Sequence, residues 1–169
     1  MTEYMDIVNE KNEVIGKTTK EEIYAKKLSH RIVHVFVINP KTKEVYFQQR
    51  AKTVSFLPGY YCTSAGGHVR AGETYAQAAQ RELKEELGLD TPIQKAADLE
   101  FESDNHKRLM QLFLAFADKG FHFDDGEVAH GSFLSIDQAH SLVVNNEKIH
   151  PQLAVCMQWL YNNRNMLRN

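Results

Sequence analysis

The chain has 169 residues, 43% hydrophobic and 25% charged, which suits one globular domain with a substantial core. A formal net charge of -2 gives no general attraction to nucleic acid or to an anionic membrane, so an anionic substrate has to be held by local cations or by a metal. Two cysteines, Cys62 and Cys156, suit reduced thiols better than a disulfide scaffold; with no apolar leader-like run and no stretch of transmembrane length, the expectation is a soluble cytoplasmic protein.

In chain order, Tyr4–Val8 and Glu13–Gly16 flank the turn signal Asn9-Glu10-Lys11-Asn12 and predict a short hairpin. Residues 19–28 have helical spacing and many charges. Ile32–Asn39 and Glu44–Gln49 are β-rich runs around the turn Pro40–Lys43, a second hairpin. Pro58-Gly59 breaks the chain before the run Tyr60–Ser64, and Ala65-Gly66-Gly67 reads as a loop. A helix follows, with Thr74 and Gln77 as a capping box, Gly88 as its stop, and Ala76, Ala79, Leu83 and Leu87 as the buried stripe. Arg108–Ala117 predicts a buried strand, Gly131–Ser135 a shorter one, and Ile136–Val143 and His150–Asn162 two closing helices. In the last of these Leu153, Met157, Leu160 and Tyr161 share a face, and such an amphipathic helix permits a homodimer. No repeat or linker divides residues 1–169, so a single domain is expected, with a hairpin-and-helix extension at 1–29 and a core at 30–165. Strands interleaved with helices predict an α/β fold whose mixed sheet is covered on both sides.

Chemistry concentrates in residues 67–89, GHVRAGETYAQAAQRELKEELGL. At roughly 100° per residue, Glu82, Glu85 and Glu86 fall within one arc of about 100° beside the buried stripe. Three carboxylates this close repel one another, and a compensating cation is the physical reason to keep them together; oxygen ligands of this kind suit Mg²⁺ or Mn²⁺. Arg81 and Lys84 are expected on other faces of the helix. A solvated acidic face is the plain alternative for a lone run of acids. Gly66-Gly67 just before the helix permits close backbone approach, so the Gly66 carbonyl can join a metal shell.

Gly67, Glu73, Arg81, Glu82, Leu83, Glu85, Glu86, Gly88 and Leu89 fit the pattern Gly-x5-Glu-x7-Arg-Glu-(apolar)-x-Glu-Glu-x-Gly-(apolar), and on them the segment resembles the Nudix box. The resemblance implies a Nudix-type α/β/α sandwich with a mixed sheet, here preceded by the N-terminal β-hairpin. It implies metal-dependent hydrolysis of a small-molecule diphosphate, a nucleoside diphosphate linked to a further moiety or a similar pyrophosphate. By resemblance Glu82 and Glu86 are the principal metal ligands, Glu85 and the Gly66 carbonyl complete the shell, Arg81 orients a glutamate, and Glu73 braces the loop. The general base in this superfamily is either a box glutamate, here Glu85, or one on a later loop, for which Glu127 is the candidate. Arg50 and Lys52 are candidates to hold a phosphate.

The opening DIVNEKNEVIG, the QRA of residues 49–51 and FLPGYYCTSAGGH resemble the branch that holds type I isopentenyl-diphosphate isomerases and their hydrolase-like relatives. The isomerase needs a cysteine acid/base where this chain has Gly66. His30 and His68 match two of its metal-binding histidines, a third is replaced by Ile23, and its later glutamates fall near His106 and Arg108. The hydrolase is therefore the expected activity. The alternatives are an isomerase-like enzyme and a non-catalytic nucleotide-binding module. Tyr60, Tyr61, Phe101 and Phe121 are the aromatics available either to stack on a base or to pack in the core. No basic stripe with interleaved aromatics points to nucleic acid.

Overall fold

The computed structural model describes residues 2–122 and 128–168. Strand β1 (Tyr4–Val8) pairs antiparallel with β2 (Val14–Thr19), forming the expected hairpin. Helix α1 (Lys20–Lys26) follows at once, because the Thr19 hydroxyl accepts from the Glu22 amide and caps it. Its Ile23 is fully buried. The helix ends earlier than residue 28, at Lys27, which adopts a left-handed conformation.

The central strand β3 (His30–Ile38) has apolar residues on both faces, as a strand covered on both sides requires. Ile32, Phe36 and Ile38 join a core with α3 (Ile136–Asn145) and α4 (Pro151–Asn162); Val33, Val35 and Val37 join a second core with α2 (Tyr75–Leu87). Fully burying a side chain of this size contributes about 1.5–3 kcal/mol, so the two-sided pattern is what fixes the three layers. The architecture is the expected α/β/α sandwich. In α4, Leu153, Cys156, Met157 and Leu160 are all buried in the chain's own core, so the face on which a second copy could have packed is already covered.

Along one edge β3 runs parallel to β8 (His106–Phe116), which pairs with β7 (Ile93–Ser103). Strand β7 carries mostly polar, half-exposed side chains at the sheet edge, and its weak apolar content hid it from the sequence reading. Along the other edge the sheet forks. β3 meets β4 (Val45–Arg50) only at Val37–Tyr46 and Ile38–Val45, and then the two diverge. β6 (Ala65–His68) pairs with the free part of β3, and β5 (Tyr61–Cys62) with that of β4, whose outer edge carries β9 (Val128–Leu134). Ser64 sits at the fork, accepting from the Val37 amide at 2.8 Å and donating to the Tyr46 carbonyl at 2.5 Å. Ala65-Gly66-Gly67 is thus strand rather than loop: pairing with β3 overrides the local tendency of two glycines to break structure.

Candidate active site

Helix α2 is set in phase by its ends. Thr74 and Gln77 form the reciprocal capping box, at 2.9 and 3.1 Å, and Gly88 closes the helix at φ 67°. Tyr75, Ala78, Ala79, Leu83 and Leu87 face the sheet. Ala78 takes the place assigned to Ala76, which is exposed, because the helix starts at Tyr75 and the stripe follows from there.

This phase lays Glu82 and Glu86, one turn apart, against β6. Glu86 is buried; its Oε2 accepts from the Gly66 amide at 2.8 Å and its Oε1 from Gln48 Nε2 at 2.9 Å. Glu82 lies so close to the neighbouring strand residue that a Cβ on Gly67 would stand 2.2 Å from its Oε1. Arg81 does not point away from the acids. Its flexible stem turns back, and the guanidinium donates to Glu73 at 2.7 and 3.0 Å, to Glu82 at 2.8 Å, to Glu85 at 3.3 Å and to the His68 carbonyl at 3.0 Å. Partial burial pushes the Glu73 carboxyl up, but the Arg81 guanidinium and the Arg70 amide together bring it below its ordinary value. Burial holds Glu82 above the usual carboxylate range against the opposing pull of Arg81.

Do these residues fit a divalent ion? Among the described residues no three histidine, cysteine, aspartate or glutamate side chains are already arranged as a metal cage. Arg81 instead neutralises Glu82 and Glu85. The donor chemistry nevertheless suits a hard cation: two carboxylates a turn apart rest against one short length of backbone, and Gly67 is a cradle that any side chain would fill. Glu82, Glu86, Glu85 and the Gly66 carbonyl are therefore the groups that would hold it. Glu127 lies outside the described residues.

Glu86, Gly66 and Gly67 line a cleft of about 860 Å³ that opens where the sheet forks. Arg50 lines it, although its Nε is committed to the Phe56 carbonyl at 2.8 Å. Lys52 is exposed and is not among the lining residues. Two other cations stand in the wall, Lys20 on α1 and Arg108 on β8, and no local pattern in the sequence singles them out. Cys62 also lines the cleft, but burial pushes its thiol up to about 12, unsuited to proton transfer. Tyr61 and Phe101 pack against the α4-side core and Phe121 stacks on Tyr46 with ring centroids 4.3 Å apart, so the exposed aromatics at the cleft are Tyr24 and Phe56 instead.

His30 and His68 come together with His106 and Tyr24. His106 Nε2 lies 2.8 Å from the Leu28 carbonyl and 3.3 Å from His30 Nδ1, and the Tyr24 hydroxyl lies 2.5 Å from His68 Nε2. Burial lowers His30 to about 4 and His68 to about 3, so these rings are neutral at neutral pH. They form a packed imidazole and phenol cluster, in which His106 has a place that its sequence spacing did not reveal.

The NUDIX domain family matches residues 28–160, most of the chain and all of its box. The chain belongs to the Nudix family, and it is a Nudix hydrolase. It is 34% identical over 138 residues to the uncharacterised Nudix hydrolase YfcD of Escherichia coli strain K12, covering 81% of this chain and 76% of that protein. Over 89 residues it is 44% identical to the uncharacterised Nudix hydrolase all7351 of Nostoc, covering 52% of each. The crystal structure of DR0079 from Deinococcus radiodurans superimposes with a TM-score of 0.81 at 24% identity, covering 94% of this chain and 99% of that one. The E. coli dihydroneopterin triphosphate pyrophosphohydrolase does so with a TM-score of 0.61 at 21% identity, over 79% and 95%. These two likenesses speak to the fold. No helix among the described residues is long and apolar enough to cross a membrane.

Proposed function

We propose that this Nudix hydrolase cleaves the diphosphate bond of a small molecule, a nucleoside diphosphate linked to a further moiety or a similar pyrophosphate, with Mg²⁺ or Mn²⁺. The observation that carries this reading is Glu86, a buried carboxylate fixed by Gln48 and the Gly66 amide at the floor of the cleft. A divalent ion held there would supply charge neutralisation on the diphosphate and a more acidic water. Glu82, Glu86 and Glu85 would hold the ion together with the Gly66 carbonyl. Arg81 keeps the two ends of the box in register through Glu73 and shares Glu82 and Glu85. Glu85, half exposed and bonded among the described residues only to Arg81 at 3.3 Å, is the candidate to take a proton from water, with Glu127 as the other. Arg50, Lys20 and Arg108 supply positive charge along the cleft, with Lys52 outside it.

The isomerase alternative loses its acid/base, since Gly66 stands at the cysteine position and the Cys62 thiol is held protonated. The test is a screen of nucleotide sugars, dinucleotides, nucleoside triphosphates and prenyl diphosphates with and without Mg²⁺, with Glu86→Gln as control. Metal-dependent release of a phosphorylated product that disappears in Glu86→Gln is the expected result. The variant puts an amide N–H against either Gln48 or the Gly66 amide and costs about 1–3 kcal/mol of stability, so a thermal melt must accompany it. Full turnover by a folded Glu86→Gln protein removes Glu86 from the ligand set. Tight binding without turnover across the whole panel makes the chain a binding module.

A further inference from the structure

We propose that the end of the cleft beside α4 is a nucleobase subsite, in which the base stacks on Phe56 and its acceptor edge is read by His150 and Gln152. This deepens the hydrolase reading, on which it rests for the position of the phosphates near Glu86.

Phe56 is 60% exposed, although it stands at the mouth of a cleft on a segment tied down at several points. Arg50 donates to the Phe56 carbonyl at 2.8 Å and sets its guanidinium 5.7 Å from the ring centroid. The Gly59 amide bonds the Arg50 carbonyl, and the Tyr60 amide the Leu57 carbonyl, each at 3.2 Å. Leu57, next to Phe56, has a φ of 46°, a left-handed conformation that costs a branched residue energy. The loop thus spends backbone strain and several hydrogen bonds on holding an apolar ring out toward the cleft.

The polar side of this end is defined by tautomers that the hydrogen bonds decide. His150 caps α4, and its Nδ1 accepts from the Gln152 amide at 3.1 Å. An accepting Nδ1 puts the proton of the neutral ring on Nε2. Burial, with His34 and Arg50 adding to it, lowers His150 to about 4, so the neutral form prevails at neutral pH. Among the described residues that Nε2 hydrogen meets no acceptor, yet it is not sealed from solvent, and the ring lines the cleft edge-on to Phe56 with centroids 6.1 Å apart. Gln152 Oε1 is 2.7 Å from His34 Nε2, which leaves its amide hydrogens as a second donor at the same rim.

An aromatic face beside two N–H donors matches a planar heterocycle carrying ring-nitrogen and carbonyl acceptors on its edge. A prenyl chain would cover both donors without pairing them, which is the costly outcome for a polar site. A bare sugar could bond the donors but offers no flat face to Phe56.

The test is equilibrium binding to the full chain without metal, by calorimetry, using the four common nucleoside 5′-monophosphates, ribose 5-phosphate and isopentenyl monophosphate. At least one nucleotide is expected to bind about tenfold or more tightly than ribose 5-phosphate. Phe56→Ala should abolish that advantage, and Phe56→Trp should retain it. His150→Asn keeps a side-chain acceptor for the helix cap but removes the ring N–H, and should narrow the preference among bases. The proposal is overturned if no nucleotide binds, if ribose 5-phosphate binds equally well, if the advantage survives Phe56→Ala, or if isopentenyl monophosphate binds most tightly. Since neither metal nor turnover enters the measurement, these outcomes are independent of whether the diphosphate is hydrolysed.

Discussion

Gln48 and Glu86, one on β4 and the other on α2, meet across the floor of the cleft, with Gln48 Nε2 2.9 Å from Glu86 Oε1. The same amide nitrogen donates to the Ser64 carbonyl at 3.1 Å, and Gln48 is itself buried. One neutral side chain therefore binds the fork of the sheet to the central glutamate of the box. It orients the carboxylate without adding a charge that would compete with a metal.

Replacing that amide by an isosteric apolar group should loosen the carboxylate and raise the metal requirement. Gln48→Leu is expected to weaken the apparent Mg²⁺ affinity by about 10–100-fold, the usual effect of losing a partner that orients a ligand. Titration of activity with Mg²⁺ reads this directly. An unchanged metal requirement would show that Gln48 does not orient Glu86 for the ion.

Arg81 holds Glu73, Glu82 and Glu85 through a planar fork that lysine cannot reproduce. Arg81→Lys should cut turnover by at least about tenfold and cost about 1–3 kcal/mol, since the partly buried Glu73 and Glu82 lose charge-assisted donors. Steady-state kinetics and denaturant unfolding measured side by side separate the two losses.

At Gly67 the added Cβ would stand 2.2 Å from Glu82 Oε1, so even the smallest side chain must displace the carboxylate. Because the end of a long side chain can swing aside, Gly67→Ala should leave the melting temperature within a few degrees while lowering metal-dependent turnover more than about tenfold. Comparable loss of stability and activity would instead mean that β6 has been dislodged.

His34 is buried between Thr63 and Gln152, and burial lowers it to about 4 from an ordinary value of 6.5. The unfolded chain thus takes up a proton before the folded one does. The contribution of His34 to stability is complete above pH 6.5 and is lost as the pH falls toward 4. His30 and His150 add in the same sense. Chemical unfolding from pH 7.5 to pH 4 should show this acid loss. His34→Gln, which cannot titrate, should flatten it by on the order of 3 kcal/mol or less.

Local patterns carried far in this chain. The capping box at Thr74, the stop at Gly88, the hairpin at the N-terminus and the alternation in β3 are written in neighbouring residues, and the structure has each of them. What a local reading got wrong was decided by partners distant in sequence. Gly66 and Gly67 became strand by pairing with β3, and Arg81 turned back onto the acids because Glu73 and the His68 carbonyl waited there. The edge strand β7 lacked an apolar rhythm of its own and depends on β8 for its place.

The family, the helix that carries Glu82, Glu85 and Glu86, and the class of cation that such oxygens suit are legible in the order of residues alone. Those properties follow from spacing along one helix, where 3.6 residues make a turn whatever surrounds it. The groups that complete the cleft come together through long-range packing: Gln48 on Glu86, Lys20 and Arg108 in the wall in place of Lys52, and Phe56 facing His150. A forked sheet brings these residues together from separate strands, loops and helices, and no periodicity within any one segment encodes that meeting.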